Sequence, residues 1–204
     1  MTQDRIELPF SSARILVISD FNCPYCFCLN EWLVSMGWSH RVRWVGIEHR
    51  PLLPHAGENK AEDRAALEGE VLDVQRRAPE TGTVLPTIWA NSRCALLAQN
   101  ALEDELPEQA HAFRTEVFRR YWHRGETPSD ELVDRVCRDL GIERPASEPD
   151  HLEELTAWWR EHLDRIPCML APTGVAHLGL QDVDTVRSFV NSALHSADEG
   201  PGCR

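Results

Sequence analysis

The spacing of apolar residues in the first quarter of the chain predicts a strand, a helix and a second strand. Arg14–Ser19 is a β-branched apolar run of strand type, and Phe27–Val34 carries apolar residues at helical spacing without a breaker. Arg41–Ile47 alternates apolar and polar positions, which predicts a second strand. A strand, a helix and a strand of this length imply a right-handed crossover between two parallel strands.

The following hundred residues have the pattern of helices. The periodicity predicts five of them, at Glu58–Ala78, Ile88–Asp104, Pro107–His123, Thr127–Gly141 and Pro149–Arg165. Strand patterns return near the end of the chain, with Ile166–Ala171 and Val175–Leu178 on either side of a turn at 172–174. A last helix is predicted over Asp182–His195, and Ser196–Arg204 is expected to be a disordered tail.

Composition and charge limit the classes of function. The chain has 204 residues, 42% of them hydrophobic, which is enough for one domain with a sizeable core. Its net charge is −12 and no basic run is present, so nucleic acid and anionic membranes are not expected as partners. Met1–Glu7 lacks the layout of a signal peptide and no apolar stretch is long enough to span a bilayer, so a cytoplasmic protein is expected.

The motif Cys23-Pro24-Tyr25-Cys26 lies between the first predicted strand and the helix that follows it. Asn22 is expected to cap this helix, and Pro24 suits its first turn because proline has no N–H to leave unpaired. Free N–H groups and the positive end of the helix dipole stabilise a thiolate at Cys23. The second sulfur is one turn away and can close a disulfide, so the motif favours dithiol–disulfide chemistry.

Two other interpretations of the motif remain open. A CxxC can be half of a zinc site, although the strong zinc pattern has two such pairs and the remaining cysteines beyond Cys28 are scattered singly. A structural disulfide is the other, and it fits poorly with a reducing cytoplasm and an odd count of seven cysteines.

The order of elements and the residues around the motif resemble the DsbA-like family of thioredoxin-fold proteins, and in particular its cytoplasmic FrnE-type branch. The resemblance rests on 20–26 (Asp-Phe-Asn-Cys-Pro-Tyr-Cys), Ile166-Pro167 and 177–180 (His-Leu-Gly-Leu). It implies an α/β protein with a thioredoxin fold and a large all-helical insertion. The thioredoxin-like domain would comprise residues 1–57 and 166–204, and the helical insertion domain residues 58–165.

The resemblance also implies roles for three residues. Cys23 would be the attacking sulfur and the more exposed of the pair, and Cys26 the resolving sulfur that releases a mixed disulfide. Pro167 would be a cis-proline that faces the disulfide and presents the preceding backbone to a substrate. Pro86 is the other candidate for that proline, but helix-type sequence follows it, whereas a hairpin follows Pro167.

The chain departs from the thioredoxin pattern at two places. Many thioredoxins have a buried carboxylate six residues before the first cysteine, and Val17 occupies that position here. Proton transfer would then use water, Asp20 or Glu48, although Asp20 is equally well explained as a loop or cap residue. Cys28 and Cys168 are the second departure, and each is either a further redox partner or a small buried apolar residue.

We therefore expect a thiol–disulfide oxidoreductase that acts on protein or small-molecule thiols and disulfides, glutathione among them, without a cofactor or metal and as a monomer or homodimer. One alternative is a glutathione-dependent enzyme similar to kappa-class glutathione transferase or 2-hydroxychromene-2-carboxylate isomerase. Those enzymes resemble the chain at Asp20-Phe21 and Pro24-Tyr25 but usually carry serine in place of the first cysteine. A metal-binding module that uses Cys23, Cys26 and Cys28 is a further alternative.

Overall fold

The computed structural model of the protein describes residues 14–198, and this part of the chain forms four strands and seven helices. In chain order they are β1 (Ile15–Ser19), α1 (Pro24–Ser35), β2 (Val42–Gly46), α2 (Ala61–Arg77), α3 (Arg93–Glu105), α4 (Pro107–Arg124), α5 (Asp130–Leu140), α6 (Pro149–His162), β3 (Cys168–Leu170), β4 (Ala176–Leu178) and α7 (Val183–Asp198). None of the helices in this part of the chain has the length and apolar character needed to cross a membrane. The predicted tail beyond residue 198 lies outside the described residues.

The four strands form one mixed sheet in the order β2-β1-β3-β4. The strand β1 pairs parallel with β2 and antiparallel with β3, and β3 pairs antiparallel with β4. All five residues of β1 are buried, as expected for a central strand that has structure on both faces. This topology, with a helical insertion between β2 and β3, confirms the predicted thioredoxin fold.

Several helix boundaries differ from the prediction by up to five residues, and the largest difference is at the start of α3. The helix α3 begins at Arg93 and not at Ile88, because the intervening backbone is bonded elsewhere: the N–H of Trp89 donates to Asn59 Oδ1 at 2.6 Å. The helix α7 continues to Asp198, past the residue where the sequence pattern predicts a disordered tail.

The outer edge of β2 is covered by side chains of α3 and not by another strand. The backbone N–H of Trp44 donates to Glu103 Oε1 at 3.2 Å. The side-chain amide of Asn100 bonds both backbone groups of Gly46, accepting from the N–H at 2.7 Å and donating to the carbonyl at 3.0 Å. Gly46 is required for this approach, because a Cβ there would lie 2.9 Å from Asn100 Oδ1. The insertion thus satisfies backbone groups that an edge strand would otherwise leave unpaired.

A buried arginine joins the insertion to the sheet and to α1. Arg114 of α4 is only 1% exposed, and its guanidinium contacts Glu103 of α3 at 3.2 Å and Asn30 of α1 at 3.0 Å. The same guanidinium lies 4.5 Å above the ring of Trp44 in β2. Burial lowers the pKa of Arg114 to about 9 and raises that of Glu103, so desolvation outweighs the mutual attraction of the two charges. Such a pair contributes little net stability when intact, but removing one member leaves an unpaired buried charge.

We predict that Arg114→Met lowers the free energy of unfolding by about 3–5 kcal/mol, because Glu103 then loses its buried cationic partner and keeps only the longer contact with the partly exposed Arg14, at 4.0 Å. Replacing both residues, in Arg114→Met/Glu103→Leu, should recover a large part of that loss. The control is Arg187→Met, which breaks an exposed pair with Asp184 and should cost less than about 1 kcal/mol. Urea denaturation measures all three variants, and equal losses for Arg114→Met and Arg187→Met would contradict the prediction.

Candidate active site

The two cysteines of the motif lie on the first turn of α1, directly after the end of β1. Cys23 is the N-cap residue, with extended backbone angles (φ −101°, ψ 116°), and Pro24 is the first helical residue, as predicted. The N–H groups of Cys26 and Phe27 donate to the carbonyl of Cys23 at 3.1 and 3.2 Å. The prediction that Asn22 caps this helix is wrong: no side chain caps it, and Cys23 takes the N-cap position.

Two tryptophans of the helical insertion hold the loop before Cys23. The indole N–H of Trp89 donates to the carbonyl of Asn22 at 2.6 Å, and that of Trp122 donates to the carbonyl of Phe21 at 2.9 Å. Both tryptophans are fully buried. The backbone that leads into Cys23 is therefore fixed by residues that are 67 and 101 positions away in the sequence.

The two thiols are free, and they differ in their surroundings. Cys23 is 3% exposed, whereas Cys26 has no exposed surface. Burial raises the pKa of Cys26 well above that of an ordinary thiol, and a hydrogen bond with the sulfur of Cys23 raises it further. The backbone of Asp20 favours a Cys26 thiolate, while the Asp20 side chain disfavours it. On balance this environment favours the protonated thiol of Cys26 over its thiolate.

Asp20 is a buried carboxylate at the end of β1, with 1% of its surface exposed. Its oxygens accept hydrogen bonds from the N–H of Asn22 at 3.2 Å, the N–H of His49 at 2.8 Å and the hydroxyl of Ser92. Its own carbonyl accepts from the N–H of Cys23 at 3.2 Å. No cation in residues 14–198 forms an ion pair with this carboxylate, so neutral donors alone hold it. Asp20 is therefore more than the loop or cap residue that the sequence allowed.

The environment of Asp20 raises its pKa from 3.8 to about 6. Burial is the largest cause, the three hydrogen bonds oppose it, and the nearby charge of Glu48 adds to it. Glu48 itself is held differently: its carboxylate forms an ion pair with Arg93, which also contacts Glu153 at 2.8 Å. Of the two carboxylates that the sequence suggested for proton transfer, Asp20 is the one without a cationic partner.

The pKa of Asp20 predicts how stability depends on pH. Because the folded protein holds this proton more tightly than the unfolded chain, the stabilisation is complete below pH about 4 and is lost as the pH rises through about 6. A shift of this size corresponds to about 3 kcal/mol. The difference in unfolding free energy between the wild type and Asp20→Asn should therefore fall by about that amount from pH about 4 to pH about 7. Urea denaturation across this range tests it, and parallel stability curves would contradict it.

Pro167 immediately precedes β3, the strand that pairs with β1. The register places Cys168 opposite Ile18, so continuing it by one residue places Pro167 opposite Ser19. The Ile166–Pro167 peptide bond is cis, as predicted. Pro167 is buried, and its carbonyl accepts from the N–H of Gly179 at 2.8 Å. Pro167 therefore lies at the same end of the sheet as the cysteine motif.

Of the other described cysteines, Cys28, Cys137 and Cys168 are buried and Cys94 is half-buried. Cys28 and Cys168 have no exposed surface. Burial is the largest cause of their raised pKa values. The pKa of Cys168 is raised to about 12, and the charges of Glu80 and Glu31 add to the increase at Cys28. Cys94 lies on α3 with its thiol donating to the carbonyl of Pro128 at 3.0 Å, and Cys137 is buried on α5. Neither Cys28 nor Cys168 is therefore poised as a thiolate, and Cys203 lies outside the described residues.

The sequence did not identify Ser92 as a residue of the site, because its position in the sequence indicates a different role. A serine just before a helix is the usual sign of an N-cap, and Ser92 does occupy the N-cap position of α3. Its hydroxyl makes no cap hydrogen bond to the helix, because it donates to Asp20. Only the tertiary structure reveals this contact. Over residues 14–198, no three side chains of His, Cys, Asp or Glu are grouped so that they could hold a metal ion.

The fold and the position of the cysteine motif define a thioredoxin-like protein with a dithiol at the start of its first helix. Residues 14–154 match the model of the DSBA-like thioredoxin domain. This match covers more than half of the chain, and the protein belongs to the DsbA-like thioredoxin domain family. No curated protein matches the chain.

Several solved structures share the fold at low sequence identity. The probable DsbA oxidoreductase of Streptomyces coelicolor has 12% identity and a TM-score of 0.66, over 89% of this chain and 90% of that one. A 2-hydroxychromene-2-carboxylate isomerase has 17% identity and a TM-score of 0.60, over 92% and 99%. The cytosolic disulfide reductase DsbM of Pseudomonas aeruginosa has 14% identity and a TM-score of 0.59, over 89% and 98%. DsbM has also been determined with GSH. At these identities the similarity establishes the fold alone.

Proposed function

We propose that the protein is a thiol–disulfide oxidoreductase that exchanges disulfides through Cys23 and Cys26. The observation that carries the proposal is the placement of the two sulfurs. Cys23 is at the N-cap of α1, at the positive end of the helix dipole, and Cys26 is one turn deeper and fully buried. Cys23 retains 3% exposed surface and Cys26 has none, so Cys23 is the sulfur nearer to the surface, which suits an attacking thiol beside a protected resolving thiol.

In this reaction the Cys23 thiolate attacks one sulfur of a substrate disulfide, and the other substrate sulfur leaves as a thiolate. Cys26 then attacks Cys23, which forms the Cys23–Cys26 disulfide and releases the second substrate thiol. The reverse sequence oxidises a substrate dithiol. Pro167, at the same end of the sheet, is proposed to present the backbone before it to a substrate strand.

Protein or small-molecule thiols and disulfides are the proposed substrates, and glutathione is a candidate reductant. The GSH complex of DsbM, which shares the fold, supports testing glutathione first. We also propose a cytoplasmic location, since an odd count of seven cysteines fits poorly with the disulfide framework of an exported protein. The net charge of −12 disfavours nucleic acid as a partner.

A redox titration against glutathione tests the proposal directly. The Cys23–Cys26 pair should titrate as one two-electron couple, with a potential between about −270 mV, the value of thioredoxin, and about −120 mV, the value of DsbA. Insulin reduction and oxidative refolding assays on the same preparation then report the direction of electron flow. Absence of any two-electron transition at the pair would overturn the proposal.

Cysteine variants assign the roles of the two sulfurs. We predict that Cys26→Ser accumulates a mixed disulfide at Cys23, because the resolving thiol is missing, and that Cys23→Ser is inert in exchange. Cys28→Ala is the matched control, since this buried thiol on the same helix should be dispensable for exchange. Mass spectrometry after reaction with oxidised glutathione measures the adducts. A stable adduct on Cys26 in Cys23→Ser would reverse the assignment.

The alternative of a glutathione-dependent isomerase or transferase is weaker, because both cysteines are present where those enzymes usually carry serine first. A glutathione-dependent conversion of a small molecule that survives in Cys26→Ser would favour it. Metal analysis of protein purified without chelator addresses the metal-binding alternative.

A further inference from the structure

In the resolving step the Cys26 thiol must lose a proton, although solvent does not reach this thiol. Cys26 has no exposed surface, and its neighbours Phe27 and Phe21 are buried as well. Its thiol must lose a proton before the sulfur can attack the mixed disulfide at Cys23. The position where many thioredoxins carry a buried carboxylate is Val17 here, a fully buried residue of β1. A proton acceptor inside the protein is therefore needed from another position.

We propose that Asp20 is the proton acceptor for Cys26, and that Ser92 positions its carboxyl group and favours its ionised form. This inference rests on the proposed exchange reaction. Asp20 is joined to both cysteines through its own backbone: its carbonyl accepts from the N–H of Cys23 at 3.2 Å, and its backbone stabilises the sulfur of Cys26. Its carboxyl group is enclosed and has three neutral donors, from Asn22, His49 and Ser92.

In the direction that reduces a substrate disulfide, Cys26 gives its proton to the Asp20 carboxylate, and the resulting thiolate attacks the sulfur of Cys23. The Cys23–Cys26 bond forms, the bond from Cys23 to the substrate sulfur breaks, and the substrate leaves as a thiolate that takes its proton from solvent. The cysteine pair loses two electrons and the substrate disulfide gains them. In reverse, the Asp20 carboxylic acid protonates Cys26 as it leaves.

Among the titratable groups around Asp20, none is a better acceptor for the Cys26 proton than Asp20 itself. These titratable residues are Cys26 of α1, Glu48 and His49 after β2, and Tyr121 of α4. Glu48 and Arg93 are paired with each other, and the hydroxyl of Tyr121 is held between the carbonyl of Ile88 and the N–H of Ala90. Burial lowers the pKa of His49 to about 4, and only its backbone contacts Asp20.

The ionisation of Asp20 suits this role. Its pKa of about 6 leaves it mostly ionised at neutral pH, so a carboxylate is available, yet it binds a proton far better than an exposed aspartate does. The hydroxyl of Ser92 is the largest of the contributions that lower this pKa. Removing that hydroxyl should raise the pKa of Asp20 without removing the carboxyl group.

The experiment follows the resolving step alone, in the full-length protein. Reduced protein is mixed with 4,4′-dithiodipyridine across pH about 4.5 to 9, and thiopyridone release is recorded by stopped flow. Attack by Cys23 depends on the concentration of the reagent, whereas the second release, caused by Cys26, is first-order and independent of it. This independence separates the resolving step from reactions of the other thiols. The variants are Asp20→Asn, Ser92→Ala and, as the matched carboxylate, Glu48→Gln.

In the wild type, we expect the resolving rate to fall about tenfold per pH unit below about 6 and to be level above it, as for a single general base. Asp20→Asn should be slower by about 100-fold or more near pH 7 and should lose the break near 6. Ser92→Ala should keep the break but move it to higher pH, with a similar level rate above it. Glu48→Gln should retain the break.

Different failures have different meanings. The assignment of Asp20 is overturned if Asp20→Asn keeps the break, if it slows the reaction by one factor at every pH, or if Glu48→Gln removes the break. Where circular dichroism shows that Asp20→Asn is unfolded, Ser92→Ala decides: an unmoved break rejects the proposal. A wild type with no second release at any pH would instead reject the proposed exchange reaction itself.

Discussion

A carboxylate buried away from water needs hydrogen-bond donors from the protein itself. Asp20, at the end of the central strand, is such a carboxylate. Its three donors come from separate parts of the chain: Asn22 at the entry to α1, His49 after β2 and Ser92 before α3. Satisfying one buried group thus fixes the distance between the cysteine loop, the second strand and the insertion. The geometry around Cys23 and Cys26 depends on all three segments being in place.

The helical insertion consequently contributes residues to the candidate active site and is not only a neighbour of it. Trp89 and Trp122 donate to the two carbonyls that precede Cys23, and Ser92 donates to the carboxylate of Asp20. The same segment reaches the far side of α1 through Arg114, which contacts Asn30. Residues of the insertion therefore contact α1, the helix that carries the cysteines, at both its start and its middle.

How far the sequence could predict this structure depends on the distance over which each feature is encoded. The Cys-x-x-Cys turn, its place between β1 and α1 and the proline before β3 are carried by adjacent residues, so local pattern and resemblance were sufficient. The environment of Asp20 could not be predicted from the local sequence, since His49 lies 29 residues away and Ser92 lies 72 away.

The errors near the motif have the same physical origin. Asn22 is a good cap by residue type, but its backbone is engaged by Trp89 and Asp20, and Cys23 becomes the cap instead. The stretch from Ile88 has a helical composition, yet the hydrogen bond from Trp89 to Asn59 keeps it out of the helix. In both places, tertiary contacts override a local preference.

The way α3 covers the outer edge of β2 has a consequence for how this chain behaves among other copies of itself. An edge strand with open N–H and C=O groups is a template on which a neighbouring molecule can add a strand, and soluble proteins protect such edges against aggregation. Here the protection comes from two side chains, Asn100 and Glu103, and from a glycine that lets them approach. A change that loosened α3 would release the edge at Trp44 and Gly46 while the sheet itself remained folded. The chain would then be prone to aggregation through this edge before it unfolded.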